Sequence, residues 1–210
     1  MGRTSTARDR LLDAACDLMQ GRAYGSLGVA EICARADVRK GSFYHFFESK
    51  QALTLAAIDT HWRAECEIWD DALSGNDPAL TRLARLIRAL ADSHRVARDT
   101  RGAVSGCLLA NLTIELSGAD PLAQARLEEI FNEQIALVQG VIADAVDEGM
   151  VPATSLSRSA ARAVVAQIEG LVLFAKLGND PDVLADLWVQ VLYLLRVPTT
   201  QLPDPHAPRT

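Results

Sequence analysis

The chain has 210 residues, 49% of them hydrophobic, enough to bury a sizeable core, and its formal net charge is −6. That balance does not draw polyanions to the whole molecule, but residues 1–50 carry eight Lys or Arg against six Asp or Glu and the remainder carries thirteen against twenty-one, so a head of +2 precedes a body of −8. The opening MGRTSTARDR lacks the apolar stretch of a signal peptide and no apolar run approaches the roughly 20 residues that span a bilayer, so a cytoplasmic protein without a membrane partner is expected.

Periodicity predicts an all-α chain of about nine helices. From Ala7 to Gln20 the apolar positions Leu11, Leu12, Ala15, Cys16, Leu18 and Met19 recur at helical spacing, and Val29, Ile32, Cys33 and Ala36 repeat the pattern. A short helix follows over Lys40–Phe46 and a long one from about Lys50 to Leu73, with others near 78–97, 106–117, 121–148, 155–177 and 181–196. Breaks at Gly75 to Pro78, Gly118 to Pro121, Gly149 to Pro152 and Gly178 to Pro181 set a glycine after one helix and a proline near the start of the next. The expected organisation is an arm and DNA-binding head over 1–50, a helical body over 51–197 and a proline-rich mobile tail over 198–210.

The stretch RKGSFYHFFESKQAL, Arg39 to Leu53, holds three cationic side chains and four aromatic rings. Val29 to Ala36, a tight connection at Asp37-Val38, and Lys40 to Phe46 have the dimensions of a helix-turn-helix, with Asp37 at a place that needs a left-handed backbone. The N-terminal residues of the second helix would meet base edges in the major groove, so Arg39, Lys40, Gly41 and Ser42 are the candidate readers. Phe43 and Phe47 would anchor the helix, Tyr44 and His45 would reach phosphates, Ser49 would cap the next helix, and Lys50 would share a phosphate with that helix's first turn. Arg3 and Arg8 are candidates for a minor-groove or phosphate contact, with a frayed end as the plainer reading.

YGSLGVAEICARADVRKGSFYHFFESKQAL resembles the DNA-binding head of the tetracycline-repressor (TetR) family of transcriptional regulators over roughly residues 8–55. The resemblance implies a homodimer whose two heads read a palindromic operator in double-stranded DNA, and a helical body that binds a small-molecule effector and releases the DNA, as a repressor does. Three positions depart from the family pattern: Leu27 stands where a polar residue is usual, Asp37 replaces a turn glycine, and Arg39 replaces a serine.

In the body, small residues Ala163, Ala166 and Gly170 on the eighth helix and large ones Leu184, Trp188 and Val191 on the ninth are candidates for a two-fold four-helix dimer interface, against the alternative of a hairpin buried in one subunit. Candidate effector-lining residues are Trp62, Cys66, Trp69, Cys107, Asn111, Phe131 and Phe174, which suit an apolar or electrophilic molecule and equally suit a filled core. Cys107 is expected in the first turn of the sixth helix, where the helix dipole favours thiolate, with inert burial as the alternative.

No GxSxG, phosphate-binding glycine loop, HExxH or CxxC occurs, and the four cysteines and four histidines are scattered, so neither an enzyme, a metal site nor a cofactor is expected. The rivals are a helical enzyme and an interaction module without DNA binding.

Overall fold

A computed structural model describes residues 6–198. Among the described residues there are nine α-helices and no strand: α1 (Ala7–Gly21), α2 (Val29–Arg35), α3 (Lys40–Phe46), α4 (Lys50–Leu73), α5 (Ala79–Arg101), α6 (Leu108–Leu116), α7 (Pro121–Asp147), α8 (Arg158–Gly178) and α9 (Leu187–Leu194). The expected tail after residue 198, His206 within it, and Arg3 lie outside the described residues.

The chain packs as two compact units, Met1–Cys66 with Cys107–Ile130, and Glu67–Gly106 with Phe131–Thr210. The expected division at residue 50 followed chain order, whereas the packing groups with the head α4 as far as Cys66, α6 and the first part of α7.

In the first unit, α1 starts on a capping box in which Thr6 Oγ1 accepts from the Asp9 N–H and Asp9 accepts from the Thr6 N–H, both at 3.2 Å. Its inner face buries Leu11, Leu12, Ala15 and Met19, and Ile32, Phe43, Leu53 and Ile58 are buried with them in the same unit. Asp37 turns the chain between α2 and α3 with φ of 52°, as the sequence predicts, and the Val38 N–H donates to the Cys33 carbonyl at 2.9 Å. Ser49 Oγ accepts from the Ala52 N–H at 3.0 Å and starts α4. Helix α6 buries Leu108, Leu109, Leu112 and Leu116 and packs on α1 and the 3-10 turn Tyr24–Ser26.

In the second unit, the last carbonyls of α4 are satisfied by arginines of α5. Arg82 Nη1 donates to Leu73 O at 2.9 Å, and Arg85 donates to Ala72 O at 2.9 Å and Ser74 O at 2.7 Å. Glu148 accepts from the Ala79 N–H and so caps α5. Helices α8 and α9 pack together, with Val164, Val165, Ile168, Leu187 and Val191 buried in the unit's core.

Several helix ends differ from expectation, among them the start of α8, at Arg158 instead of about 155. Helix α5 continues to Arg101 because Gly102, at φ of 79°, is where the chain leaves in a left-handed conformation. Gly106 has φ of 76°, so α6 starts later and Cys107 becomes its cap instead of a first-turn residue, its sulfur accepting from the Ala110 N–H at 3.4 Å. Residues Pro181–Asp186 form a 3-10 turn, tightened by Asp180 Oδ1 accepting from the Asp182 N–H at 2.9 Å, and only Leu187–Leu194 is α-helical.

Candidate nucleic-acid interface

Helix α3 is seven residues long and rests on one ring. Phe43 is fully buried, and Phe47 just beyond the helix is buried beside it, their ring centroids 5.8 Å apart. Tyr44 meets the edge of Phe43 at 5.2 Å while staying 55% exposed, and the Arg8 guanidinium lies 5.4 Å from the Phe47 ring centre. Arg39, Lys40, Gly41, Ser42, Tyr44 and His45 are all exposed. Among the described residues neither Arg39 nor Lys40 has an ion-pair partner, so the start of α3 presents two uncompensated cations.

Lys50 is placed differently from the other candidates. Its Nζ donates to the Tyr24 carbonyl at 2.6 Å and sits 3.7 Å from the centre of the Tyr24 ring. Burial pushes its pKa below the usual lysine value, and Glu115 opposes that shift. The expected phosphate contact would therefore have to compete with an internal partner 26 residues earlier in the chain. Leu27 is buried, so the polar residue usual in the resembled family is replaced here by a core contact.

The effector candidates fall in both units. In the first, Trp62 and Cys66 line one cleft of about 470 Å³ with Asp59, Arg63 and Arg126. Arg126 Nε donates to Asp59 at 2.7 Å and its Nη1 to Glu129 at 3.0 Å. Asp59, Arg63 and Arg126 were not singled out from sequence; the Asp59–Arg126 pair joins positions 67 residues apart, and only Asp59 and Arg63 share an i, i+4 face with each other. Cys107 caps α6 and Asn111 lies one turn on.

In the second unit, Trp69 is buried and Phe131 half-buried, but Phe174 is 58% exposed. Phe174 therefore lines no interior wall, because it shares the outward stripe of α8 with Leu173 and Leu177. Gln134 of α7, missed in the sequence, is 1% exposed and its Oε1 accepts no hydrogen bond. A glutamine on the apolar side of a helix was the available signal.

The dimer candidates also separate. Ala166 is exposed and Ala163, Gly170 and Trp188 are half-buried, whereas Leu184 and Val191 are buried inside the unit and are corrected to core residues. Ala163, Ala166 and Gly170 continue into Leu173, Phe174 and Leu177 on α8, and Tyr193 and Leu194 of α9 are exposed as well. The sequence reading put Ala163, Ala166 and Gly170 at an interface but did not extend that face through Leu173, Phe174 and Leu177.

Among the described residues no cluster of His, Cys, Asp and Glu could hold a metal ion, and no helix is long and apolar enough to cross a membrane.

Residues 11–57 match the family model "Bacterial regulatory proteins, tetR family", and residues 79–191 match "Tetracyclin repressor-like, C-terminal domain". The chain is 31% identical over 179 residues to the transcriptional regulator AcuR of Cereibacter sphaeroides, covering 85% of this chain and 80% of that one. It is 26% identical over 205 residues to the HTH-type transcriptional repressor DhaR of Mycobacterium sp. strain GP1, covering 96% and 97%. The crystal structure of a regulatory protein TetR from Rhodobacter sphaeroides is similar with a TM-score of 0.81 and 28% identity, covering 91% of this chain and 98% of that one. Given a helix-turn-helix whose second helix begins with exposed cations, an all-helical body, and family models that cover both, the chain belongs to the tetR family of bacterial regulatory proteins and is a helix-turn-helix transcriptional regulator.

Proposed function

We propose that this regulator is a repressor that binds a palindromic operator as a homodimer through α3 and releases it when a small molecule occupies the helical body. The observation that carries the reading is the α3 surface: Arg39, Lys40, Tyr44 and His45 stand exposed on a helix pinned by the buried Phe43. Arg39, Lys40 and Ser42 would read bases, and Tyr44 and His45 would hold phosphates. Lys50 would join them only by leaving the Tyr24 carbonyl.

The outward apolar stripe of α8 with Tyr193 and Leu194 supports a two-fold contact with a second copy, since an exposed run of this kind in a water-soluble chain is costly unless covered. For the effector, Trp62 and Cys66 in the cleft with Arg63 and Arg126 supply an aromatic wall with cations at its edge, and the buried amide of Gln134 in the second unit is a polar group open to a donor. The surroundings of these groups suit a small organic molecule with both apolar and polar parts. The absence of a recognisable catalytic constellation in the sequence supports a binding role over an enzymatic one.

The test is a mobility-shift and footprinting experiment on the DNA upstream of the chain's own coding sequence. A protected palindrome, one turn of α3 contact on each half, supports the reading. No shift on any upstream segment, at protein concentrations that saturate ordinary duplex binding, contradicts it.

A further inference from the structure

We infer that the cleft of the first unit takes a small organic monoanion, a carboxylate borne on an apolar body, and that Arg63 is the residue that selects for its charge. This rests on the effector reading above and deepens it by naming the chemical class.

Helical spacing builds the wall. Asp59, Trp62, Arg63 and Cys66 follow at i, i+3, i+4 and i+7 on α4, so they share one face, and Arg126 from the first part of α7 completes the lining. At about 470 Å³ the cleft falls within the range of small-ligand pockets. Trp62 is only 4% exposed, so its indole is held by the unit and offers a fixed apolar surface.

The two guanidiniums at the cleft differ. Arg126 is fixed by carboxylates of the chain itself, its Nε donating to Asp59 at 2.7 Å and its Nη1 to Glu129 at 3.0 Å. Arg63 is exposed, and among the described residues it has no ion-pair or hydrogen-bond partner. The chain from residue 51 onward holds twenty-one acidic residues against thirteen basic ones. A guanidinium left unanswered at a cleft in so acidic a body marks a place for an anion from outside.

Charge and shape narrow the class. The lining has one carboxylate and two guanidiniums, a balance of +1 that a single negative charge neutralises. A dianion such as phosphate would bring a second charge up to Asp59, whereas a planar carboxylate matches the fork of a guanidinium with two hydrogen bonds. The cleft of the second unit is the contrast. Asp77, Asp144, Asp147 and Glu148 line it, and its arginine, Arg82, is already bound to Asp144 at 2.6 Å and to the Leu73 carbonyl at 2.9 Å.

The experiment titrates the full chain by calorimetry with benzoate, phenylacetate and butyrate, each beside its uncharged amide, and with inorganic phosphate. The expected result is that at least one acid binds about tenfold or more tighter than its amide, and that Arg63→Gln binds the two alike. Arg88→Gln is the control, because Arg88 of α5 is also exposed but lines neither cleft, and it should bind as the parent does. Both variants should keep the parent's thermal midpoint within about 2 °C, as exposed substitutions do. The inference is overturned if no acid binds at about 10 mM, if the preference for acid over amide survives in Arg63→Gln, if Arg88→Gln loses as much, or if phosphate at equal concentration displaces the acid. Mobility shift judges the effector reading separately. An acid that binds through Arg63 yet leaves the protein on its upstream duplex upholds the site and contradicts DNA release from it.

Discussion

Lys50 and Glu115 hold the two ends of a single peptide group. Lys50 Nζ donates to the Tyr24 carbonyl at 2.6 Å, and the N–H of Gly25, the other side of that same peptide, donates to Glu115 Oε2 at 3.3 Å. The Tyr24–Ser26 turn that leads into α2 is thus gripped from the start of α4 and from the end of α6, all within one unit. A second tie, Gln51 Nε2 to Asp120 Oδ2 at 2.9 Å, joins α4 to the residue before α7.

Removing either grip should loosen that turn. Glu115→Ala is expected to speed hydrogen exchange at the Gly25 amide several-fold to about tenfold while leaving α1 exchange unchanged, since the pair is largely exposed and contributes about 1 kcal/mol or less to global stability. Lys50→Met removes both the carbonyl bond and the ring contact and should cost about 1 kcal/mol. Unchanged Gly25 exchange in Glu115→Ala contradicts the grip.

The outward stripe on α8 makes a prediction about assembly. Phe174→Glu or Leu177→Glu should shift sedimentation toward monomer with helical content retained, because these side chains are exposed in the single chain and Leu177 is 79% so. Val191→Glu should instead unfold the protein, by more than about 3 kcal/mol, because it sets a charge in the core of the unit. A dimer unaffected by both surface variants puts the contact elsewhere.

Two half-buried histidines set an acid limit. Burial lowers the pKa of both His61 and His94 below the ordinary histidine value. Glu65 lies 3.6 Å from His61, which would favour the imidazolium, but that distance is too long for a hydrogen bond and burial outweighs it. With the folded pKa below the unfolded one, the unfolded chain binds more protons between the two values, so stability rises with pH across that window. Stability should therefore fall as pH drops below about 6.5 and flatten once it passes the folded values. Denaturant titrations of His61→Gln and His94→Gln should show a shallower acid slope than the parent; an equal slope in the double variant contradicts the assignment.

The thiols should rank by reactivity. Cys16 is pushed up to about 11, by burial first and then by Asp13 and Asp17, and burial raises Cys33 as well. At neutral pH well under about one in a thousand Cys16 thiols is ionised. Maleimide followed by mass spectrometry should label Cys16 and Cys33 last, leaving Cys66 and Cys107 as the thiols through which an electrophile could reach the protein. Early modification of Cys16 contradicts this order.

Much of this architecture was legible in the sequence because its signals are local. The Phe43–Phe47 spacing, Asp37 at the turn and Ser49 before α4 each act within a few residues, and α3 and α4 fall where periodicity puts them. Long-range relations were hidden. Nothing near Lys50 says that its ammonium turns back to Tyr24, and nothing near Asp59 announces Arg126. An apolar stripe on α8 or α9 reads the same whether it faces inward or outward, which is why Phe174 was expected in a wall and Val191 at an interface.

The central claim is that α3 reads DNA sequence, and one titration tests it most directly. The parent, Arg39→Ala and Lys40→Ala are titrated onto the upstream palindrome and onto a scrambled duplex of equal length at several salt concentrations. The account predicts that the parent prefers the palindrome by about a thousandfold or more, and that each variant loses about 1–3 kcal/mol of that preference while still binding scrambled DNA. Equal affinity for the two duplexes, or a preference that survives in both variants, would contradict it.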